Sequence, residues 1–79
     1  MNQLEILSSL DRLGGLVVRR AVVGDAVEAE TDAGNTPQWW STQVQAALDA
    51  PELIVIGFAR LYREVPPVYR VVARITERG

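Results

Sequence analysis

Two long runs of β-branched and aromatic residues in the C-terminal part of the chain constrain the fold most. Residues 53–63 and 68–76 are separated only by Glu64-Val65-Pro66-Pro67. Each run has the composition of a strand, and the proline pair is typical of a stiff turn. Because strands joined by so short a connection can only run antiparallel, the two runs predict a β-hairpin.

The register of this hairpin follows from its loop length. If the loop holds four residues, the predicted pairs are Arg63 with Val68, Tyr62 with Tyr69, Phe58 with Ala73 and Ile56 with Ile75. Opposite residues in an antiparallel pair share a face. This register therefore predicts that the large side chains of both strands lie on one face. The arginines of the second strand would lie on the other face.

An earlier hairpin is predicted around Gly24-Asp25, between valine-rich residues 16–23 and residues 26–32, where small or apolar side chains alternate with acidic ones. A two-residue turn of this composition is typical of a tight hairpin. The predicted pairs are Val22 with Val27, Arg20 with Ala29 and Arg19 with Glu30. We expect a buried face with Val18, Val22, Val27 and Ala29. We expect a solvated face with Arg19, Glu28, Glu30 and Asp32.

Helix signals precede both hairpins. Asn2 followed by Glu5 is a capping box, leucines recur every three residues, and Gly14-Gly15 marks a stop, so a helix is predicted over residues 2–13. After a loop at Ala33-Gly34-Asn35, Thr36-Pro37 predicts the start of a second helix. That helix should end near residues 49–51, because Pro51 disfavours helical geometry in the residue before it.

The order helix, hairpin, helix, hairpin predicts an α+β fold of the αββαββ type. It consists of a four-stranded antiparallel sheet with two helices packed on one face. A chain of 79 residues is expected to form a single domain, residues 1–79. A domain of this size buries little apolar surface, so help from a partner or a homodimer is an expected route to stability.

The chain has no cysteine and no histidine. This excludes Ser-His-Asp and Cys-His catalysis and the usual zinc sites. No pair of titratable residues has a spacing that demands a catalytic pocket, so we expect no enzyme activity, no metal and no cofactor. No apolar run approaches the roughly 20 residues of a membrane-spanning helix. We expect a soluble cytoplasmic protein without membrane contact.

The two adjacent tryptophans are candidates for different roles, because neighbouring helical residues point about 100° apart. Trp40 aligns with Val44 and Leu48 and is expected in the core. Trp39 is expected at the boundary. There it either anchors an interface, as tryptophan often does, or covers the edge of a strand.

Charge is distributed unevenly along the chain. Residues 1–57 hold three arginines and eight acidic residues, whereas residues 58–79 hold five arginines and two acidic residues. In the predicted register Arg63, Arg70 and Arg74 share a face. Arginine forks bind carboxylates and phosphates, so this strip is a candidate binding surface. The predicted partner-binding residues are Trp39, Arg60, Arg63, Arg70 and Arg74.

Apolar side chains accompany the arginine strip. The set that the register places on the face without helices is Leu53, Val55, Leu61, Val68 and Val72. An exposed apolar patch usually marks an interaction site, and a host protein or a second copy of the chain would cover it. The alternative is that the helices cover this face and leave the tyrosine face exposed.

The profile of the whole chain resembles the anti-CRISPR proteins, small single-domain inhibitors that bacteriophages and other mobile elements use against host defence. The matching features are the αββαββ order, the lack of catalytic residues, the acidic balance and basic residues that are all arginine. These proteins share no common motif, so no residue role carries over. The resemblance implies stoichiometric binding to a subunit of a CRISPR effector complex, which blocks target DNA binding or nuclease recruitment.

Two other functions stay open. The arginine strip could serve a small nucleic-acid-binding regulator, although a net charge of −2 disfavours a dedicated one, since such domains are usually basic. A phage structural or assembly subunit matches the size and composition equally well.

Overall fold

The computed structural model describes residues 1–31 and 35–79. Its elements in chain order are helix α1 (Gln3–Ser9), a 3₁₀ helix (Leu10–Leu16), strands β1 (Arg19–Val23) and β2 (Ala26–Thr31), helix α2 (Pro37–Leu48), and strands β3 (Leu53–Tyr62) and β4 (Val68–Glu77). The strands form one antiparallel sheet in the order β1-β2-β4-β3. The predicted α+β fold is confirmed. The expected loop at Ala33-Gly34 and the expected solvated position of Asp32 lie outside the described residues.

Helix α1 begins where the capping box predicts. The side-chain oxygen of Asn2 accepts from the backbone N–H of Glu5 at 2.8 Å, and the Glu5 carboxylate accepts from the N–H of Asn2. The α-helix ends at Ser9, and the chain continues as a 3₁₀ helix, a common way to tighten a helix end. Gly14 has a φ of 59°, which favours glycine and breaks the helical path.

Helix α2 confirms the second set of signals. The hydroxyl of Thr36 accepts from the N–H of Trp39 at 3.2 Å, and Pro37 occupies the first turn. The helix ends at Asp49, a left-handed residue with a φ of 46°. Trp40 is fully buried, and its indole N–H donates to the carbonyl of Ala29 on β2 at 3.3 Å. The large tryptophan therefore attaches the helix to the middle of the sheet.

Both helices pack on one face of the sheet, called here the helix face. The buried cluster between the layers consists of Ile6, Leu10, Val27, Ala29, Trp40, Val44, Leu48, Ala50, Leu53, Val71, Ala73 and Ile75. It draws on every element except β1, the edge strand beyond β2. None of the helices in residues 1–31 and 35–79 has the length and apolar character needed to traverse a bilayer.

The register of the first hairpin is confirmed, with Val22 opposite Val27 and Arg19 opposite Glu30. Its predicted burial is only half right. Val27 is buried, but Val18 and Val22 are exposed, because β1 is an edge strand and the helices leave these side chains uncovered.

The predicted register of the second hairpin is wrong by one residue. Tyr62 lies opposite Val68, and Leu61 lies opposite Tyr69. The observed pairs further along are Phe58 with Val72 and Ile56 with Arg74. The reason is that Arg63 leaves the strand, so that the loop spans residues 63–67 instead of 64–67. A shift of one residue changes which side chains of the two strands share a face.

The shift redistributes the apolar residues that were expected on the uncovered face. Leu53, Val55 and Leu61 lie on the helix face with Tyr69, whereas Val68 and Val72 lie on the opposite face, called here the open face. The open face also carries Tyr62 and the arginines of β3 and β4. The strand residues that define it are Arg19, Ala21, Val23, Ala26, Glu28, Glu30, Ile54, Ile56, Phe58, Arg60, Tyr62, Val68, Arg70, Val72, Arg74 and Thr76.

Candidate functional site

A network of charged residues occupies the middle of the open face. Glu28 and Glu30 project from β2 and are only 8% and 3% exposed, although no helix of the described residues covers this side of the sheet. Arg60 on β3 donates to both oxygens of Glu28 at 2.8 and 2.9 Å and to Glu30 at 3.0 Å. Because β4 lies between β2 and β3, the Arg60 side chain spans the central strand. It thereby lies across Val72, which is fully buried.

Two further side chains complete this network. The Tyr62 hydroxyl donates to the same Glu30 oxygen that Arg60 contacts. Arg70 has a nitrogen 4.0 Å from the other Glu30 oxygen, and its guanidinium lies 5.5 Å from the centre of the Tyr62 ring. We call Glu28, Glu30, Arg60, Tyr62 and Arg70 the acid–arginine network. Arg60 and Tyr62 hydrogen-bond to the two carboxylates, whereas the second Glu30 oxygen is buried without a hydrogen bond and has Arg70 at 4.0 Å.

The Arg60 guanidinium is held firmly in its charged form. The hydrogen bond to Glu28 is the main cause that raises the pKa of Arg60 above its ordinary value, with a further contribution from Tyr62, while partial burial acts in the opposite direction. Arg60 therefore keeps its charge, and with it the attraction to Glu28 and Glu30, over the ordinary pH range.

The expectation that Glu28 and Glu30 form a solvated acidic ladder is wrong. The predicted alignment of Arg19 with Glu30 is correct, but the cation that binds Glu30 is Arg60, from two strands away. The long Arg60 side chain covers the carboxylates of Glu28 and Glu30, which an isolated β1–β2 hairpin would leave in water. The sequence holds a signal for this, since acidic residues alternate on β2 and arginines stand at even-numbered positions of β3 and β4. Without the strand order, the two rows could not be placed side by side.

The predicted arginine strip does not form one free surface. Arg60 and Arg70 belong to the acid–arginine network, and Arg74 lies 3.8 Å from Asp25 at the exposed turn of the first hairpin. Arg63 lies in the β3–β4 loop, because it has left the strand, and does not share their face. Arg70 and Arg74 lie on the same face of the sheet as Tyr62, so the expectation that the three arginines occupy the face away from Tyr62 is wrong. Arg63 is the candidate arginine that remains exposed outside the sheet.

The end of the β3–β4 hairpin extends beyond the helix layer. The pairing of β2 with β4 reaches Thr31 opposite Val71, whereas β3 and β4 stay paired to Tyr62 opposite Val68. We call residues 61–69 the arm. Leu61 and Tyr69 face each other on the helix face of the arm, yet they are 43% and 70% exposed, and Val65 at the tip is fully exposed.

Trp39 lies in the first turn of α2 and is 40% exposed, in contrast to the buried Trp40. The predicted separation of the two tryptophans is confirmed.

Sequence patterns did not single out Val65 and Tyr69 as exposed residues, and they did not place Leu61 in the arm. Their signal was the length of the second hairpin, which exceeds that of the first.

Residues 1–31 and 35–79 contain no group of three or more acidic, histidine or cysteine side chains that could hold a metal ion. An open groove of about 740 Å³ lies between α2 and the edge strand β3. Its walls carry Gln45, Asp49 and Arg78, and its floor includes Leu53 and Val55.

Comparisons of the chain with protein-family models, with curated proteins and with solved structures gave no match. The site must therefore be interpreted from its own chemistry.

Proposed function

We propose that this protein is a non-enzymatic protein-binding module that docks through the arm. The observation that carries the proposal is the cross-strand pair Leu61–Tyr69, which is exposed on a hairpin end that no helix of the described chain covers. An apolar pair at the end of a projecting ribbon gains little from the protein's own core. Such side chains are typical of interaction sites, where a partner removes them from water.

The chemistry of the arm favours a partner with an apolar pocket flanked by carboxylates. Tyr69 offers a large apolar ring with a polar end, and Val65 offers a small apolar tip. Arg63 lies in the same loop and is exposed, so its guanidinium is available to a carboxylate. Tyrosine and arginine are also enriched among the residues that dominate binding energies.

Trp39 is proposed as a second, separate contact. It is exposed on α2, and its exposure leaves the indole ring accessible. Arg60, Arg70 and Arg74 were predicted to bind the partner as well. In the proposal Arg60 and Arg70 act indirectly, since they hold the sheet beneath the arm through Glu28 and Glu30, and Arg74, which contacts Asp25 at the first hairpin turn, is left out of the arm contact.

The more specific proposal is that the module is an inhibitor of the anti-CRISPR kind, whose partner is a subunit of a CRISPR effector complex. It would block target DNA binding or nuclease recruitment by occupying a protein surface. The support is the resemblance of the chain's profile to those inhibitors. Plasmid interference in a host with an active CRISPR system tests it, because an inhibitor restores transformation when co-expressed.

Nucleic-acid binding is a weaker proposal. Arg60 and Arg70 lie against Glu30, so the charge that would attract phosphates is largely neutralised within the protein. Binding to single- or double-stranded DNA that weakens steeply with salt would favour this alternative over the proposed one.

The arm can be tested with a matched pair of variants. The double variant Leu61→Ser/Tyr69→Ser removes the exposed pair, and Val22→Ser removes a similarly exposed apolar side chain on β1. Each is tested against purified CRISPR effector complexes by titration calorimetry, after circular dichroism shows a native fold. We expect the double variant to weaken binding at least about 100-fold, the range for loss of a hot-spot pair, and Val22→Ser to leave it unchanged. Equal binding by both variants would refute the arm as the site.

A further inference from the structure

The two edges of the sheet differ in how they are protected against pairing with another chain. Strand β1 has five residues, two of which are arginines, and short charged edges resist association. Strand β3 has ten residues and a single charge, Arg60, which Glu28 and Glu30 already neutralise. It contains no proline, lysine or aspartate. An edge of this length and character is a template for another strand.

The backbone of β3 presents free groups at this edge. The N–H of Arg78 donates to the carbonyl of Glu52 at 2.7 Å, in the same register in which Ile54 lies opposite Thr76. In an antiparallel ladder the bonded residues alternate, so even-numbered residues of β3 bond to β4. The odd-numbered residues point their N–H and C=O groups outward. In β3 beyond its first residue these are Val55, Gly57, Ala59 and Leu61.

The apolar side chains on the open face of β3 are arranged symmetrically about Ile56. Ile54 and Phe58 flank Ile56, which is 57% exposed. A two-fold axis through Ile56 would place Ile56 against its own copy and Ile54 against Phe58 of the second copy. An axis through Gly57 would instead place Ile54 against Arg60. The apolar match therefore favours Ile56 as the centre, and a strand that matches itself in this way is suited to a second copy of the chain.

The helix side of the edge has room for such a copy. The groove between α2 and β3 is open, and the wall formed by α2 includes the small or uncharged side chains of Ser41, Thr42 and Gln45. In the Ile56-centred register, Val55 lies beside Gly57 of the second copy and Leu53 lies beside Ala59. The first turn of α2 covers Gly57, so the space for the second copy is the open groove beside Leu53 and Val55, and the small, exposed Ala59 does not fill the space opposite Leu53.

We propose that β3 is a homodimer interface, at which β3 of a second copy pairs antiparallel about a two-fold axis at Ile56 to form a continuous eight-stranded sheet. Charge permits this arrangement, because the one cation of β3 is neutralised within its own molecule. The proposal concerns the sheet edge and stands whether or not the arm binds another protein. It leaves the tips of the two arms at opposite ends of the dimer.

Cysteine cross-linking tests the register directly, because the natural chain has no cysteine. The centre of the proposed ladder is a non-hydrogen-bonded pair with Cα atoms about 4.5 Å apart, which suits a disulfide. We expect Ile56→Cys to form a covalent dimer under mild oxidation. A mixture of Ile54→Cys with Phe58→Cys should cross-link more than either alone. Val23→Cys, on the other edge strand and similarly exposed, is the control and should stay monomeric.

Sedimentation equilibrium tests the same interface without cross-linking. The unmodified protein should have twice the mass of the chain, and Ile56→Lys and Ala59→Pro should each reduce it to the monomer with a native circular dichroism spectrum. Ala59→Pro removes only an outward N–H, so the ladder with β4 survives. A natural chain that stays monomeric up to near-millimolar concentration overturns the proposal. So does a dimer that neither substitution weakens, or equal cross-linking of Ile56→Cys and Val23→Cys.

Discussion

At the scale of single residues, Gly57 allows the first turn of α2 to pack closely on the helix face of β3. It lies on the helix face beneath the first turn of α2, where a β-carbon would overlap the carbonyl oxygen of Pro37. Backbone and not a flexible side chain occupies that space, so the neighbour cannot turn aside. A glycine inside an otherwise β-branched strand is the sequence signal of such a close approach. The sequence leaves open which face of β3 the helices cover, and in the structure the absence of a side chain at Gly57 accounts for the close approach of α2 on this face.

Replacing Gly57 with alanine should therefore destabilise the fold. Insertion of a methyl group against fixed backbone typically lowers the free energy of unfolding by about 1–3 kcal/mol, and we expect the upper part of this range. Gly15→Ala is the matched control, because a β-carbon there meets no atom within 4 Å. Urea unfolding followed by circular dichroism gives both values. If the two variants have the same midpoint, α2 does not approach β3 as closely as described.

At the scale of elements, the two hairpins show what the sequence could and could not predict. The Gly24-Asp25 turn has only one plausible length, so the β1–β2 register was predictable residue by residue. The β3–β4 loop is bounded by Arg63, which suits a strand or a loop equally well, and this ambiguity shifted the predicted register by one. The caps at Asn2 and Thr36 are local interactions, and both helix starts were predicted correctly.

The acid–arginine network depended on information that local patterns lack. Glu28 and Arg60 are 32 residues apart and meet only because β4 lies between β2 and β3. The strand order thus converts an acidic row and a row of arginines into one closed cluster. The partner-binding role of Arg60 stays a prediction, and the structure adds that its guanidinium already contacts Glu28 and Glu30.

Loss of Arg60 should leave two carboxylates on the sheet without their main partner. We expect Arg60→Met to lower the free energy of unfolding by about 2 kcal/mol. This is below the value for a fully buried pair, because the Arg60 side chain is about a third exposed and water can replace part of it. Arg63→Met removes the same charge from an exposed loop and should change stability by less than about 0.5 kcal/mol.

Urea is the appropriate denaturant for this comparison, because it does not screen charges. A triple variant with Arg60→Met, Glu28→Gln and Glu30→Gln should recover part of the loss, since it removes the buried charges together with their partner. If Arg60→Met and Arg63→Met are equally stable, Arg60 does not offset the negative charge of the two buried carboxylates.

At the scale of the whole molecule, stability should not be uniform along its length. The chain is elongated, with extents of 38 × 23 × 19 Å. One part contains the two-layer core, and the other contains the arm, where β3 and β4 pair beyond the last described β2–β4 pair. A two-stranded ribbon without a covered face is marginal in water, so its hydrogen bonds depend on the core beside it. The arm should therefore open locally while the core stays folded.

Native-state hydrogen exchange measures this difference within a single strand. The amide of Val68 bonds β3 within the arm, opposite Tyr62, whereas the amides of Val72 and Arg74 bond β3 beside the buried cluster. We expect the amide of Val68 to exchange at least about 100-fold faster than those of Val72 and Arg74, because local opening of the arm requires only a small part of the global unfolding free energy. The core amides should follow global unfolding and slow with any stabilising substitution, while the arm amides should not. Uniform protection along β4 would contradict this expectation, because it would mean that the arm and the core unfold as one unit.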